Sequence, residues 1–245
     1  MEMTGNTILI TGGGSGIGQG LAEALHALGN RVIIAGRRAD ALQEVADANP
    51  GMAIATLDVG DAADIARFSA ELIAAHPALN AVIHNAGIMR EEKLAEGSYL
   101  ADAEATIATN LLGPIRLNAA LLPHLLEQPR AAVLTVSSGL AFVPLASTPT
   151  YSATKAAIHS YSQSLRRQLR ETNVDVIEIA PPAVATSLMP GHDQNPNSMP
   201  LADYIRETVE LLGQGTDEVL VERVKFLRFA EAKGNFDAVF ATLNG

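Results

Sequence analysis

Short apolar runs rich in β-branched residues recur along the chain, each followed by a stretch with helical spacing. Thr7-Ile8-Leu9-Ile10, Arg31-Val32-Ile33-Ile34-Ala35, Ala53-Ile54-Ala55-Thr56-Leu57 and Ala81-Val82-Ile83-His84 are the first four; residues 131–136 and 174–179 are the next two. Runs that are apolar on successive positions, not on every second one, suit strands buried on both faces. Leu21, Leu25 and Leu28 share one helical face that Gly29-Asn30 closes, and helices are expected over 39–47, about 61–75, about 100–126 and onward from Tyr151. Strands alternating with helices predict an α/β fold, a doubly wound parallel sheet of six to seven strands with helices on both faces. No repeat, low-complexity tract or linker divides the chain, so residues 1–245 are expected to form one domain.

Past residue 200 the pattern changes. Residues 202–213 read as a helix with Tyr204, Ile205, Val209 and Leu212 facing in, and 218–221 are at best a short strand. The stretch 222–243 reads as amphipathic helix around Gly234-Asn235, with Phe226, Leu227, Phe229, Phe236, Val239 and Phe240 expected to pack on the body or on a partner.

Composition narrows the classes of function. The chain is 48% hydrophobic and 18% charged with a formal net charge of -10, which argues against nucleic acid or an anionic membrane surface as partner. It has no cysteine, which excludes disulfides, thiol catalysis and thiolate metal sites. His26, His76, His84, His124, His159 and His192 show no metal-ligand spacing and read as surface or packed residues, so no metal is expected. No apolar run approaches the ~18 residues of a membrane span, and no signal segment precedes the first strand, so a cytoplasmic location is expected.

The chemistry gathers where the strands end. The first strand runs into Thr11-Gly12-Gly13-Gly14-Ser15-Gly16-Ile17-Gly18 and then a helix, and the second strand completes a βαβ unit of Rossmann type. Glycines there let the backbone approach a pyrophosphate, and the helix N-terminus offers free N–H groups and a positive dipole end. Arg37 follows the second strand, Asp58 the third, Asn85 the fourth and Ser138 the fifth, and the carboxyl ends of strands are where such a sheet binds its ligand. An NAD-selective fold carries an acid at the end of the second strand; here Gly36 is followed by Arg37 and Arg38, so NADP is expected, with NAD as the weaker alternative. In Tyr151-Ser152-Ala153-Thr154-Lys155 a tyrosine and a lysine share one helix face, and the ammonium is expected to lower the phenol pKa toward the working range.

These motifs, in this order and over residues 6 to about 190, resemble the short-chain dehydrogenase/reductase family. The T-G-x-x-x-G-x-G spacing is similar to that family's glycine loop. The resemblance implies a catalytic set of Asn110, Ser138, Tyr151 and Lys155. Ser138 stands thirteen residues before Tyr151 and would bond the substrate oxygen, with Ser137 turned to the other face. Tyr151 would be the general acid or base, Lys155 would also hold the nicotinamide ribose, and Asn110 would position a water joining Lys155 to solvent. The implied cofactor-binding set is Gly12, Gly14, Ser15, Gly16, Ile17, Gly18, Arg37, Arg38, Asp58, Val59, Asn85, Ala86, Gly87, Tyr151, Lys155, Pro181, Val184 and Thr186. Ser138, Leu140, Tyr151, Pro182 and Leu188 are expected against the substrate, a small carbonyl compound or secondary alcohol. The resemblance also implies a homodimer, with a tetramer less expected because the C-terminal strand of many relatives is missing.

One departure stands beside the site. Where relatives have Pro-Gly, this chain has Pro181-Pro182, which removes a backbone donor and stiffens the loop; that form is similar to a branch labelled DltE-like. Specificity is expected from the apolar stretch 139–145 and from a Pro/Asn-rich lid over 187–203. Two other readings of the same motifs stay open: a non-catalytic dinucleotide-sensing or scaffold protein, and a sugar-nucleotide epimerase or dehydratase, which shares Y-x-x-x-K.

Overall fold

The computed structural model describes residues 1–245, with only the side chain of His192 outside the description. Seven parallel strands form one sheet: β1 (Thr7–Thr11), β2 (Arg31–Gly36), β3 (Ala53–Thr56), β4 (Leu79–His84), β5 (Ala131–Val136), β6 (Val174–Ile179) and β7 (Glu218–Val219). Their order is β3-β2-β1-β4-β5-β6-β7, so the winding reverses between β1 and β4. A crevice opens at such a reversal, outside the carboxyl ends of the strands.

The apolar runs explain the two-faced core. Along β1, Ile8 and Ile10 point into one cluster and Leu9 into the other; β2 divides likewise, with Val32 and Ile34 against Ile33 and Ala35. One face is covered by α1 (Gly16–Ala27), α2 (Ala39–Ala48) and α7 (Leu201–Leu212) through Leu21, Leu25, Leu42, Tyr204 and Leu212. The other is covered by α3 (Ala62–Ala75), α5 (Gly113–Glu127) and α6 (Pro149–Leu169) through Phe68, Leu72, Leu117, Leu121 and Leu165. The central strands β1, β2, β4, β5 and β6 thus contribute to both cores, which is why no clean polar alternation is visible in their sequences. The edge strands β3 and β7 pack on one side only, with Ile54 of β3 exposed.

Two expectations need correction. The helix read over 100–126 is three pieces: α4 (Leu100–Ile107), a π turn over Ala108–Leu112, and α5. The π turn sits at Asn110, and such turns widen the helix where a side chain must be re-aimed. The expected C-terminal amphipathic helix is also broken, into a 3-10 turn over Glu222–Val224, the four-residue α8 (Lys225–Arg228) and α9 (Phe236–Asn244). Leu227, Phe236, Val239 and Phe240 pack on Val143 and Ala230, as their apolar character requires, but Phe226 stays 54% exposed.

The sheet also buries an ionisable group. His84 on β4 is fully enclosed, its Nε2 2.7 Å from Asn118 Oδ1, and burial pushes its pKa down to about 4 from 6.5. The unfolded chain therefore binds a proton that the native one refuses between those values, and stability falls as pH drops from about 6.5 toward 4. That shift corresponds to about 3 kcal/mol at the acid end. Replacing His84 by Gln should flatten the acid limb of a urea-denaturation profile measured from pH 7 to 4; an unchanged limb would remove His84 as its cause.

Candidate active site

A cleft of about 1110 Å³ lies over the β1–β4 reversal and runs along the carboxyl ends of the strands. Its floor at one end is the loop from β1 into α1. Gly16 has φ +56°, and a Cβ there would meet Thr186 Cγ2 at 3.3 Å, so the loop from β6 presses on the glycine turn. Gly18 does not line the cleft: a Cβ on it would come within 2.3 Å of Gly12 O, so this glycine lets the helix start pack beneath the loop. Ser15 is the N-cap of α1, yet its side chain caps no backbone N–H, and its Oγ instead accepts from Arg38 Nη2 at 3.2 Å. The amides of the first turn of α1 thus face the cleft without a side-chain cap, which suits an anion.

The ends of β1 and β4 are sewn together beside this loop. Thr11 Oγ1 accepts the N–H groups of Asn85 and Ala86 at 3.1 Å each, and Asn85 Nδ2 donates to Thr11 O at 3.0 Å. Asp58 at the end of β3 spends one oxygen on the N–H of Gly60 (2.9 Å), which forms a local turn and presents the residue at the cleft wall with Val59. Arg37 lines the wall beyond β2, is exposed, and has no ion pair among the described residues. Gly12, Gly14, Ser15, Gly16, Ile17, Arg38, Ala86 and Gly87 line the same cleft, as do Pro181, Pro182, Val184, Thr186 and Leu188 after β6.

At the other end of the cleft stand Ser138, Tyr151 and Lys155. Ser138 caps the short turn after β5, where its Oγ accepts the Leu140 N–H at 3.1 Å. That contact uses a lone pair and leaves the hydroxyl proton free to donate. Ser137 points the other way, its hydroxyl donating to the Glu178 carboxylate on β6. Tyr151 and Lys155 lie one turn apart on α6, and both are buried. Lys155 Nζ donates to Val136 O at 2.7 Å and lies 5.5 Å from the centroid of the tyrosine ring.

The expected depression of the phenol pKa is absent from this arrangement. Burial pushes Tyr151 up to about 12, and only the hydrogen bond with Ser138 pulls the other way. The ammonium is not among the groups that move the phenol: it donates to a β5 carbonyl and lies 5.5 Å from the ring centroid. Burial also pushes Lys155 down to about 8, against the opposing pull of the Glu178 charge.

Asn110 is likewise not on the cleft surface. From the π turn its Oδ1 accepts the Ile88 N–H at 2.9 Å, and its Nδ2 donates to Ile88 O (2.8 Å) and Thr154 Oγ1 (3.3 Å). It clamps the loop after β4 to α6, one residue from Lys155. The residues that sequence reasoning missed come from two places: Ile88, Met89, Arg90 and Glu91 line the cleft after β4, and Arg223, Phe226, Leu227, Thr242 and Leu243 line it from the far C-terminus. The apolar run of the tail was visible, but its packing on the loop after β5 was not; a Cβ on Gly139 would meet Leu227 Cδ1 at 2.5 Å.

A glycine loop over a helix start, at the reversal of a parallel sheet and opposite a Ser–Tyr–Lys group, defines a dinucleotide-dependent oxidoreductase. The short chain dehydrogenase family profile matches residues 6–197, and the chain belongs to that family. Over its whole length it is 40% identical to the uncharacterized oxidoreductase DltE of Bacillus subtilis (strain 168), of which it covers 98%. Among solved structures, a short chain dehydrogenase from Burkholderia cenocepacia J2315 in complex with NADP has a TM-score of 0.84 at 25% identity, with 99% of each chain covered. A Burkholderia phymatum short chain dehydrogenase/reductase in complex with NAD shares the fold at a TM-score of 0.84 and 20% identity, covering 97% of this chain and 96% of its own. Among the described residues no helix is long and apolar enough to cross a membrane.

Proposed function

We propose that this protein is an NADP-dependent oxidoreductase that interconverts a small ketone or aldehyde and its alcohol, with Tyr151 as the general acid and base. The observation that carries this reading is the placement of Ser138, Tyr151 and Lys155 on one cleft with the glycine loop and the open start of α1. The cofactor fits the residues present. The first-turn amides of α1 and Gly12, Gly14, Ser15, Gly16 and Ile17 would hold the pyrophosphate, with Gly18 supporting them from below. Asp58, Val59 and Asn85-Ala86-Gly87 would wall the adenosine, Tyr151 and Lys155 would reach the ribose, and Pro181, Val184 and Thr186 would meet the nicotinamide. Bound as NADPH, the cofactor supplies the hydride.

NADP is favoured over NAD because no acid follows β2, and Arg37 stands at the cleft without an ion partner. The Burkholderia cenocepacia relative bound to NADP supports the same choice.

The chain's own part is to receive charge on the substrate oxygen. Ser138, its lone pair already engaged by Leu140, donates its proton to that oxygen, and Tyr151 transfers one. Burial keeps the phenol protonated at neutral pH, so in reduction the donor form is always populated. Lys155, still charged below about 8, offsets the negative charge that builds as the phenol gives up its proton. Asn110 acts at one remove, fixing the Ile88 loop against α6; the water it would position is part of this proposal. Leu140, Pro182 and Leu188, with Phe226 and Leu243 across from them, form an apolar wall that suits an uncharged or partly apolar carbonyl compound.

NADPH fluorescence titration followed by a panel of ketones, aldehydes and alcohols tests the reading. Binding without turnover of any member would replace it with dinucleotide sensing. With a substrate in hand, the reduction rate should fall as pH rises through about 8, where Lys155 loses its proton. The oxidation rate should keep rising beyond that point as the phenol becomes easier to deprotonate. A reduction rate that is flat from pH 6 to 10 would exclude Lys155 as the charge that supports the acid.

A further inference from the structure

The C-terminal segment brings apolar surface to the cleft but takes no part in the chemistry so far. Along α9, Phe236, Val239, Phe240 and Leu243 share one face and pack with Val143, Leu227 and Ala230, a small core apart from the two that sandwich the sheet. Leu243 also lines the cleft, and so does Phe226 of α8. α8 is held to the body by Arg228. Its Nε and Nη2 donate to Glu218 on β7 at 3.0 and 3.2 Å, and its guanidinium lies 4.8 Å from the centroid of the Phe142 ring. Phe226 and Leu188 nevertheless stay 54% and 37% exposed where they line the cleft, which is surface that an apolar ligand would cover.

Two hydrogen-bonded joins tie this segment to the loops on either side of the chemistry. The first is Asn244. Its Oδ1 accepts the Ala146 N–H at 2.6 Å, and its Nδ2 donates to Pro144 O at 3.2 Å and to Phe240 O at 2.9 Å. A carboxamide serves an N–H and two carbonyls at once; a carboxylate there would meet the carbonyls with no proton to give. The neighbours of Ala146, Leu145 and Ser147, line the cleft, as do Thr242 and Leu243 beside Asn244. Thr242 gives its hydroxyl proton to Ala238 O at 2.9 Å, so Leu243 is the apolar group that this end of α9 offers. The loop is in turn fixed to the catalytic helix: the Leu145 N–H donates to Ser152 Oγ at 3.2 Å, one residue from Tyr151. The second join is Arg223, whose Nη2 donates at 3.1 Å to Asn197 O in the loop over 187–203.

We propose that the C-terminal segment is the specificity wall of this cleft: Asn244 latches α9 to the loop before Tyr151, and Leu243 and Phe226 bind the apolar arm of the substrate and limit its length. With the cleft read as a carbonyl–alcohol site, on which this rests, the substrate class becomes a carbonyl compound that carries an uncharged apolar chain. Leu140, Leu145, Phe226 and Leu243 offer no polar side-chain atom, so a charged or hydroxylated arm would lose its water there without replacement. Asn244 is a positioning residue, because it acts through Leu243. A tail that only stabilised the fold would weaken every ligand alike, whereas a wall acts on those arms that are long enough to meet it.

Calorimetric titration of straight-chain 2-alkanols, from 2-propanol to 2-decanol, into the whole protein saturated with NADPH reads the wall without turnover, since a reduced cofactor cannot oxidise an alcohol. Each added methylene should tighten binding by up to about fourfold until the arm reaches Leu243, and then stop doing so. Leu243→Ala should carry that break to longer arms, with about tenfold tighter binding of the first arms beyond the wild-type break. Leu243→Trp should bring the break to shorter arms. Asn244→Leu, which removes the latch, should reduce the gain per methylene to less than about twofold. A break that stays in place in both Leu243 variants, or a loss in Asn244→Leu that is equal at every chain length, overturns the inference. If Asn244→Leu does not fold, the two Leu243 variants, with the latch intact, decide. The matching 2-alkanones offered with NADPH separate the two failures. No turnover, beside an alkanol break that moves as stated, overturns the carbonyl reading alone. Turnover without any break in chain length overturns this inference alone.

Discussion

Tyr151→Phe should bind NADPH as the wild type does and reduce nothing measurable. The substitution removes one oxygen from a side chain that is 6% exposed and keeps the ring against which Lys155 lies. The phenol oxygen has one polar contact, the bond with Ser138, and its loss leaves Ser138 still occupied by the Leu140 N–H. No buried partner is orphaned, so folding should survive. In the proposed cofactor site the phenol would supply one ribose contact beside those of Lys155, the glycine loop, Asp58 and Asn85, so the NADPH Kd should stay within about threefold. Chemistry has no such reserve. A general acid typically contributes ~10²–10⁴ in rate. An aligned donor at the developing oxyanion contributes ~10²–10³. Tyr151 supplies both through one proton, so kcat should fall by ~10³ or more. Stopped-flow turnover with the best carbonyl of the panel, beside a fluorescence titration of NADPH, checks both halves. A variant keeping a tenth of wild-type kcat would mean that another group protonates the substrate.

The positions of these groups were legible in the sequence because their places are set by local chemistry. Apolar β-branched runs such as Val32-Ile33-Ile34 can only be strands covered twice, and a parallel sheet puts its ligand at their carboxyl ends. Arg37, Asp58, Asn85 and Ser138 follow strand ends in the sequence and line one cleft in the structure. What was not legible depends on tertiary distance. The phenol pKa was expected to fall because a lysine follows four residues later, yet burial raises it, and burial is not a property of i,i+4 spacing. Asn110 carried the right motif, but the π turn that aims it at the Ile88 backbone leaves no mark on a helical pattern. Glu178 sits in Val-Asp-Val-Ile-Glu-Ile, where the acid at 175 is exposed and the acid at 178, on the other side of the strand, is buried; residue type alone does not tell the two apart. The apolar residues of the tail imply packing, and most of them do pack, but Phe226 lines the cleft, with α8 held against Gly139.

Arg37→Asp should invert cofactor preference. In the wild type the guanidinium stands exposed on the cleft wall beyond β2 with no acid to neutralise it, and Gly36 before it has no side chain to repel a 2′-phosphate. A charge-assisted bond to such a group contributes about 1.5–3 kcal/mol. Loss of that bond alone corresponds to a ~10- to 150-fold weaker NADPH Kd. The aspartate adds repulsion of the phosphate and at the same time offers a carboxylate to the ribose 2′-hydroxyl of NADH. The ratio of the two dissociation constants should therefore swing by ~10³ in favour of NADH, with kcat on the saturating cofactor little changed, because the site lies at the opposite end of the cleft from Tyr151. Arg38→Gln should do much less, since that guanidinium is already shared with Ser15 Oγ. Salt supplies a second signature: the exposed Arg37 contact is screened, so NADPH affinity in the wild type should weaken between 0.05 and 0.5 M ionic strength, by roughly the screening expected of one exposed ion pair, and should lose that dependence in Arg37→Asp. Equal wild-type affinities for NADPH and NADH, or a ratio that Arg37→Asp leaves alone, would assign both arginines to the solvated entry of α2 and return the cofactor choice to NAD.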